Sequence, residues 1–302
     1  MSNCGADFVV ENDFFTGKTI AHSSFSAKFS IAKANGGPIL PRIIAHRGAS
    51  AVAPENTIAA FTEALRVGAE GIEMDIRLAA DGVPVVIHDP NLKRTAGKEG
   101  KVRRMPSCDL VQCDVGSRFR ACRRRDEKRQ YAGERIPSLE EVLQRLKDYP
   151  GLIYLELKCR ENELQRLTKS VCSLVADSDL RSQVIIKSFR LTVIPLVKSL
   201  CPQIKTAALF APKISNILRK DRYLVNLAAE IGADEISIYH ALASRKLIKR
   251  ANRRNLPVTI WTTDSARVLR RAINRGISGV ITNDPEMMIA KRSEIWAEMA
   301  FS

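Results

Sequence analysis

Two histidines, four carboxylates and two cations recur in or just after short apolar runs of this chain. His46 and Arg47 follow the run at 43–45, and Glu73 and Asp75 lie inside the run at 71–76. His88 and Asp89 follow 83–87, and Glu156 and Lys158 close 152–157. Glu73 and Asp75 are two residues apart, as are Glu156 and Lys158, so in extended chain each pair points one way. Burying Glu73 and Asp75 among Ile72, Met74 and Ile76 is unfavourable, and like charges at close range resist joint ionisation. A bound cation removes both difficulties. Glu73, Asp75 and Glu156 make a hard oxygen set suited to Mg2+ or Ca2+. Arg47 offers paired donors and Lys158 a point charge to an anionic phosphodiester, and His46 and His88 suit proton transfer near neutral pH. The bland alternatives are polar rim histidines, a surface Glu-x-Asp face and a Glu156–Lys158 ion pair. No G-x-x-x-x-G-K occurs, which excludes nucleotide hydrolysis of the P-loop type.

Convergence of these side chains requires elements that bring distant runs together. Nine runs read as strands: 43–45, 71–76, 83–87, 152–157, 184–186, 206–209, 235–238, 258–261 and 279–281. They are too apolar for one wet face and suit parallel strands buried on both sides. Helical spacing fills most gaps. Ile58, Phe61 and Leu65 form one stripe, with Asn56 read as its N-cap or, alternatively, as a residue reaching the site. Leu139, Val142, Leu143 and Leu146 form another after Ser138, with Glu141 completing a capping box. The second and third runs are joined only by residues 77–82, too few for a parallel crossover, which takes roughly a dozen. They therefore read as a hairpin turning near Ala80, Asp81 and Gly82, with Glu73 about opposite His88. The alternation suits a barrel or an open doubly wound sheet; removing the returning arm leaves eight strands, the number of a (β/α)8 barrel, in which strand C-termini carry the catalytic groups. Residues 93–135 break the alternation and read as an insertion beside the active site. Residues 1–40 lack strong periodicity and read as a poorly ordered extension ahead of a barrel at 41–302.

His46-Arg47-Gly48-Ala49, Pro54-Glu55-Asn56-Thr57, Glu73-Met74-Asp75, Asp81-Gly82 and His88-Asp89 together resemble the N-terminal signature of glycerophosphodiester phosphodiesterases. The resemblance continues through Ile136-Pro137-Ser138-Leu139-Glu140-Glu141, Glu156-Leu157-Lys158, Ser188-Phe189 and Trp261-Thr262, in consistent order over about 42–288. It implies a (β/α)8 TIM barrel with a small insertion after the third strand-like segment. It further implies a divalent ion on Glu73, Asp75 and Glu156, an acid–base pair in His46 and His88, phosphate contacts from Arg47 and Lys158, and Trp261 in the active-site region. The implied products are sn-glycerol 3-phosphate and an alcohol, with the neighbouring glycerol hydroxyl attacking first to give a cyclic phosphate. Two positions depart from the family pattern, which has Asp where this chain has Ser278 and Asn283; both read as lying outside the core site.

The 302 residues are 45% hydrophobic and 27% charged, as in soluble globular proteins, and no apolar run nears the roughly eighteen residues of a membrane span. Seven cysteines, an odd number without a CxxC pair, and a start without signal-peptide character point to free thiols in the cytoplasm. The net charge of +15 concentrates in 93–135 and 245–275 and suits attraction of an anionic small-molecule substrate. The basic residues are not interleaved with aromatics, so no specific nucleic-acid partner is expected. Oligomeric state is not encoded in any readable pattern. The rival readings are a lysophospholipase D or sphingomyelinase D-like enzyme, which needs an apolar groove, and a non-catalytic phosphodiester-binding protein. Deleting residues 1–40 is expected to leave a cooperative thermal melt and near-native turnover; loss of the melt would show that these residues belong to the fold.

Overall fold

The computed structural model describes residues 40–120, 131–212 and 221–300. The extension assigned to residues 1–40 therefore lies outside the described residues except for its last residue. All nine expected runs are strands: β1 (Arg42–His46), β2 (Gly71–Leu78), β3 (Pro84–Val86), β4 (Leu152–Leu157), β5 (Val184–Ser188), β6 (Lys205–Phe210), β7 (Glu235–Tyr239), β8 (Val258–Trp261) and β9 (Gly279–Thr282). Eight pair in parallel in the order β1-β9-β8-β7-β6-β5-β4-β2, and a β1–β2 pairing closes the ring. Of the barrel and the open doubly wound sheet that the alternation of runs allows, this is the (β/α)8 barrel.

β3 is the exception, antiparallel to β2. The reason lies in strand length. β1 accompanies β2 only as far as His46 beside Glu73, leaving one edge of the second half of β2 open. β3 takes up that edge, with Ile76 opposite Val86 and Leu78 opposite Pro84. An unpaired strand edge would leave backbone donors and acceptors unsatisfied. The register differs by one residue from the expected Glu73–His88 opposition: the Ile87 N–H donates to the Asp75 carbonyl at 2.9 Å. His88 lies just beyond β3, at the same barrel end as His46.

Helices α1 (Ile58–Arg66), α2 (Leu139–Arg145), α3 (Leu164–Ala176), α4 (Val193–Leu200), α5 (Asp221–Glu230), α6 (Arg245–Asn252), α7 (Ala266–Arg275) and α8 (Pro285–Ala300) follow the barrel strands. Each of α1 to α7 turns an apolar face to the barrel. In α3 that face is Leu164, Leu167, Val171 and Val175, at helical spacing. α1 departs from expectation in two ways. Its buried face is Ala60, Phe61 and Ala64, with Leu65 37% exposed. Its N-cap is Thr57, whose Oγ1 accepts from the Ala60 N–H at 3.2 Å, which frees Asn56 for another use. Ser138 caps α2 as expected, accepting from the Glu141 N–H at 3.1 Å.

The insertion holds more structure than its weak periodicity implied. Its described part contains helical turns at Lys93–Ala96, Val102–Arg104 and Ser107–Leu110. Leu92, Val102, Leu110, Cys113 and Val115 pack on Val85, Ile87 and Ile136 as a small separate core. Asp81 in the hairpin turn accepts from the Ser107 N–H and hydroxyl at 2.8 and 2.7 Å, fastening insertion to hairpin. Cys108, Cys113, Cys159, Cys172 and Cys201 are free thiols. Among the described residues, no helix is long and apolar enough to cross a membrane.

Candidate active site

Strand register assembles the centre of the site. Parallel pairing sets His46 beside Glu73, Asp75 beside Glu156, and Glu156 beside Lys187, all pointing into the barrel mouth. One carboxylate oxygen from each of Glu73, Asp75 and Glu156 lies within 4.8 Å of the others, and the three residues are 0, 1 and 7% exposed. Around them stand three cations from three elements. Lys187 Nζ is 3.0 Å from Glu73 Oε1. Lys158 Nζ is 3.2 Å from Asp75 Oδ1 and 2.5 Å from Glu156 Oε1. Arg47 Nε is 3.0 Å from Asp75 Oδ2.

Burial alone would push Asp75 up, but Lys158, Arg47, His88 and the Asn56 amide outweigh it and hold the carboxyl well below its usual range. Glu156 goes the other way: burial and the neighbouring Asp75 raise it, and Lys158 and Lys187 only partly offset them. Glu73 Oε1 and Asp75 Oδ1 face their lysines at ion-pair distance, yet neither accepts a well-aligned hydrogen bond. Three buried carboxylates, two with oxygens in need of a partner, are the donor set a hard divalent cation takes. The residues fit such an ion.

The backbone bends sharply to deliver Arg47. Arg47 and Gly48 both take left-handed conformations, with φ of 59° and 78°. A Cβ on Gly48 would fall 2.6 Å from Ala60, so the turn needs glycine. The turned Arg47 N–H donates to Glu73 Oε2 at 3.1 Å, and its guanidinium also reaches Glu55 at 2.9 Å. Glu55 is shared with Arg94 of the insertion, which also binds Asp89 at 2.6 Å. Burial raises Glu55, but Arg94 and Arg47 prevail and hold it low.

Both histidines are anchored through Nδ1. His88 Nδ1 lies 2.6 Å from Asp89 Oδ1. Burial, with Arg47 and Lys158 nearby, holds the His88 imidazole below its ordinary value against the pull of Asp75 and Asp89. His46 Nδ1 lies 2.7 Å from Asn283 Oδ1, and the Asn283 amide donates in turn to Asp264 Oδ2 at 3.0 Å. With Asp264 taking the amide N–H, the Asn283 oxygen accepts from His46 Nδ1–H, which leaves Nε2 as the basic nitrogen. That Nε2 is 4.0 Å from Glu73 Oε2. Asn283 thus belongs to the site, contrary to its expected place outside it; its backbone follows β9, and ring closure carries it to β1.

Trp261 ends β8 on the same rim. Its ring meets Phe189 edge-on at 5.5 Å and Tyr239 at 5.6 Å, and Lys158 Nζ is 6.0 Å from the Phe189 ring. Phe189 is 46% exposed, so the aromatic cluster forms one wall of the mouth. A pocket of about 250 Å³ opens beside His46, Arg47, Glu55 and Asn283. A groove of about 530 Å³ lies beside Glu156, Lys158, Phe189 and Arg190.

A family model described as the glycerophosphoryl diester phosphodiesterase family matches residues 46–287. The chain belongs to this family. The glycerophosphodiester phosphodiesterase of Caldanaerobacter subterraneus is 32% identical over 247 residues, 82% of this chain and 96% of its own length. That of Bacillus subtilis is 30% identical over 252 residues, 81% and 84% of the two chains. Among solved structures, an Oleispira antarctica phosphodiesterase in complex with the product sn-glycerol-3-phosphate shares the fold with a TM-score of 0.74. It is 24% identical and covers 84% of this chain and 97% of that one. An Agrobacterium tumefaciens glycerophosphodiester phosphodiesterase gives 0.69 at 26% identity, covering 83% and 99%.

Within this phosphodiesterase fold, sequence reasoning passed over Lys187, Arg94 and Asn283, and it left Asn56 open between helix cap and site. Lys187 had a signal: it directly follows the apolar run 184–186, as Lys158 follows 152–157, and the structure places it inside the buried strand β5. Asn56 is 3% exposed, sits at φ 60°, donates to Asp75 Oδ2 at 2.9 Å and accepts from the Asp75 N–H at 3.1 Å. Replacing Asn56 with Ala removes both bonds, with an expected loss of about 1–3 kcal/mol, and adds left-handed strain of about 1–2 kcal/mol. Asn56→Gly removes the bonds but not the conformation, so it should be the milder of the two in urea unfolding. If both variants unfold at the wild-type midpoint, the bridge to Asp75 contributes nothing.

Proposed function

We propose that this phosphodiesterase hydrolyses glycerophosphodiesters to sn-glycerol 3-phosphate and an alcohol. The observation that carries this reading is the convergence of three buried carboxylates with His46 and His88, each imidazole tethered at Nδ1. Glu73, Asp75 and Glu156 would hold a divalent ion, Mg2+ or Ca2+, which when bound neutralises charge on the phosphodiester and polarises it toward attack. Arg47 and Lys158 orient the substrate's phosphate oxygens. Arg47 binds carboxylates through Nε and Nη1, leaving its second amino group for an incoming oxygen. Lys158 binds two carboxylates and keeps a third N–H.

One imidazole takes the proton from the attacking hydroxyl of the glycerol half as the new P–O bond forms. The other gives a proton to the alcohol oxygen as its P–O bond breaks. Water then opens the cyclic phosphate with the two roles exchanged. Asp89 and Asn283 keep the rings facing the reaction through both steps. Trp261 and Phe189 offer an apolar wall to the carbon skeleton of the substrate. The groove beside Phe189 is lined by Arg77, Lys158, Arg160 and Arg190, which supports a water-soluble diester over a lysolipid. We place the enzyme in the cytoplasm, on the odd number of cysteines.

Turnover is expected to vanish in a strong chelator and to return with Mg2+ or Ca2+; full activity in chelator would remove the metal from the mechanism. His46→Ala and His88→Ala should each lower kcat by about 10²- to 10⁴-fold with the fold and metal binding retained. His240→Ala, whose ring packs on Tyr239 at 4.4 Å, should change little. A substrate with a much better leaving group should rescue the variant lacking the acid and not the variant lacking the base. If neither alanine variant is slowed tenfold, these histidines are not the proton-transfer pair.

A further inference from the structure

Past Lys158 the groove continues into a smaller cavity of about 100 Å³, because Arg77, Lys158 and Arg160 line both. The insertion adds Lys101 and Arg103, at its helical turn Val102–Arg104. Arg77, Lys101, Arg103, Lys158 and Arg160 thus face a single carboxylate there, Glu163, one of whose oxygens already accepts from the Arg160 N–H at 3.0 Å. Lys158 is committed to Asp75 and Glu156, and Arg77 Nε to the His88 carbonyl at 2.7 Å. Lys101, Arg103 and Arg160 form no ion pair among the described residues. The pocket on the His46 side is the reverse, with Glu55, Asp264 and Asp284 around Arg47. The site therefore has an acidic flank and a basic flank, with the carboxylate cluster between them. Cations gathered in a concave wall raise the local potential, and arginine forks match the paired oxygens of phosphate and carboxylate.

We propose that this basic cavity binds an anionic group on the alcohol half of the substrate, so that the enzyme prefers alcohols carrying a carboxylate or phosphate. The inference rests on the diesterase reading above. The glycerol half is uncharged, and the reacting phosphodiester is met by Arg47 and Lys158. A second anion must therefore belong to the alcohol. Lys101, Arg103 and Arg160 lie outside the reacting centre and select the substrate without taking part in bond making.

The test compares kcat/KM for four diesters of glycerol phosphate: with ethanol, with ethanol bearing a terminal carboxylate, with ethanol bearing a terminal phosphate, and with choline. The order expected is an anionic alcohol at least tenfold above ethanol, with choline below ethanol, and a preference that shrinks with added salt. The carboxylate and phosphate arms tell which anion the cavity favours. The Lys101→Ala/Arg103→Ala variant, which leaves the groove beside Phe189 intact, should lose most of the preference while its kcat/KM on the ethanol diester stays within twofold of wild type. Equal rates on neutral and anionic diesters would overturn the inference alone, as would a variant that slows all four equally. If no diester turns over, the diesterase reading falls and takes the inference with it.

Discussion

Glu73, Asp75 and Glu156 crowd three carboxylates into a space from which water is almost excluded. Two like charges about 4 Å apart repel by about 4 kcal/mol at an effective dielectric of 20, and removing each from water adds to that. Much of the surrounding structure answers this constraint. Lys187, Lys158 and Arg47 each set a positive charge on one or two of the carboxylates. The compensation is uneven. Asp75 has two cations and the Asn56 amide, whereas Glu156 shares one lysine with Asp75 and is raised by burial and by Asp75 itself. The residual strain therefore falls on Glu156, where one more positive charge would relieve it.

Two scaffolds divide the work of holding the groups of the candidate site. The closed barrel supplies the carboxylates, Lys187, Lys158 and His46, whose positions follow from parallel register. The hairpin arm and insertion supply His88, Asp89 and Arg94, held by a small core of their own and by the salt-bridge chain from Asp89 through Arg94 and Glu55 to Arg47. That chain links the two scaffolds through side chains, beside the backbone link made by the β2–β3 pairing.

Much of this was readable from residue order because the relevant signals are local. Short apolar runs mark buried strands, and a six-residue gap between two of them can only be a turn. Polar residues inside such runs or directly after them mark the site, which is how Glu73, Asp75 and Glu156 declared themselves; Lys187 carried the same mark. The pieces not read depend on distance in sequence. Asn56 stayed open between helix cap and site because capping is a local habit, whereas its partner Asp75 is 19 residues on. Asn283 looked peripheral because its partner His46 is 237 residues away. The one-residue register error in the hairpin arose because the turn was centred between Ala80 and Asp81, whereas the Ala79 N–H donates to the Val83 carbonyl and centres it on Asp81.

The tether between His46 and Asn283 joins the first barrel strand to the residue after the last. β9 must settle against β1 before Asn283 can hold the His46 ring. Contacts of such long sequence separation carry the largest loop-closure cost and form late in folding. A partly folded chain with its carboxylates already gathered by β2 and β4 would still have a free-swinging imidazole. The orientation of the His46 ring is therefore tied to closure of the ring of strands.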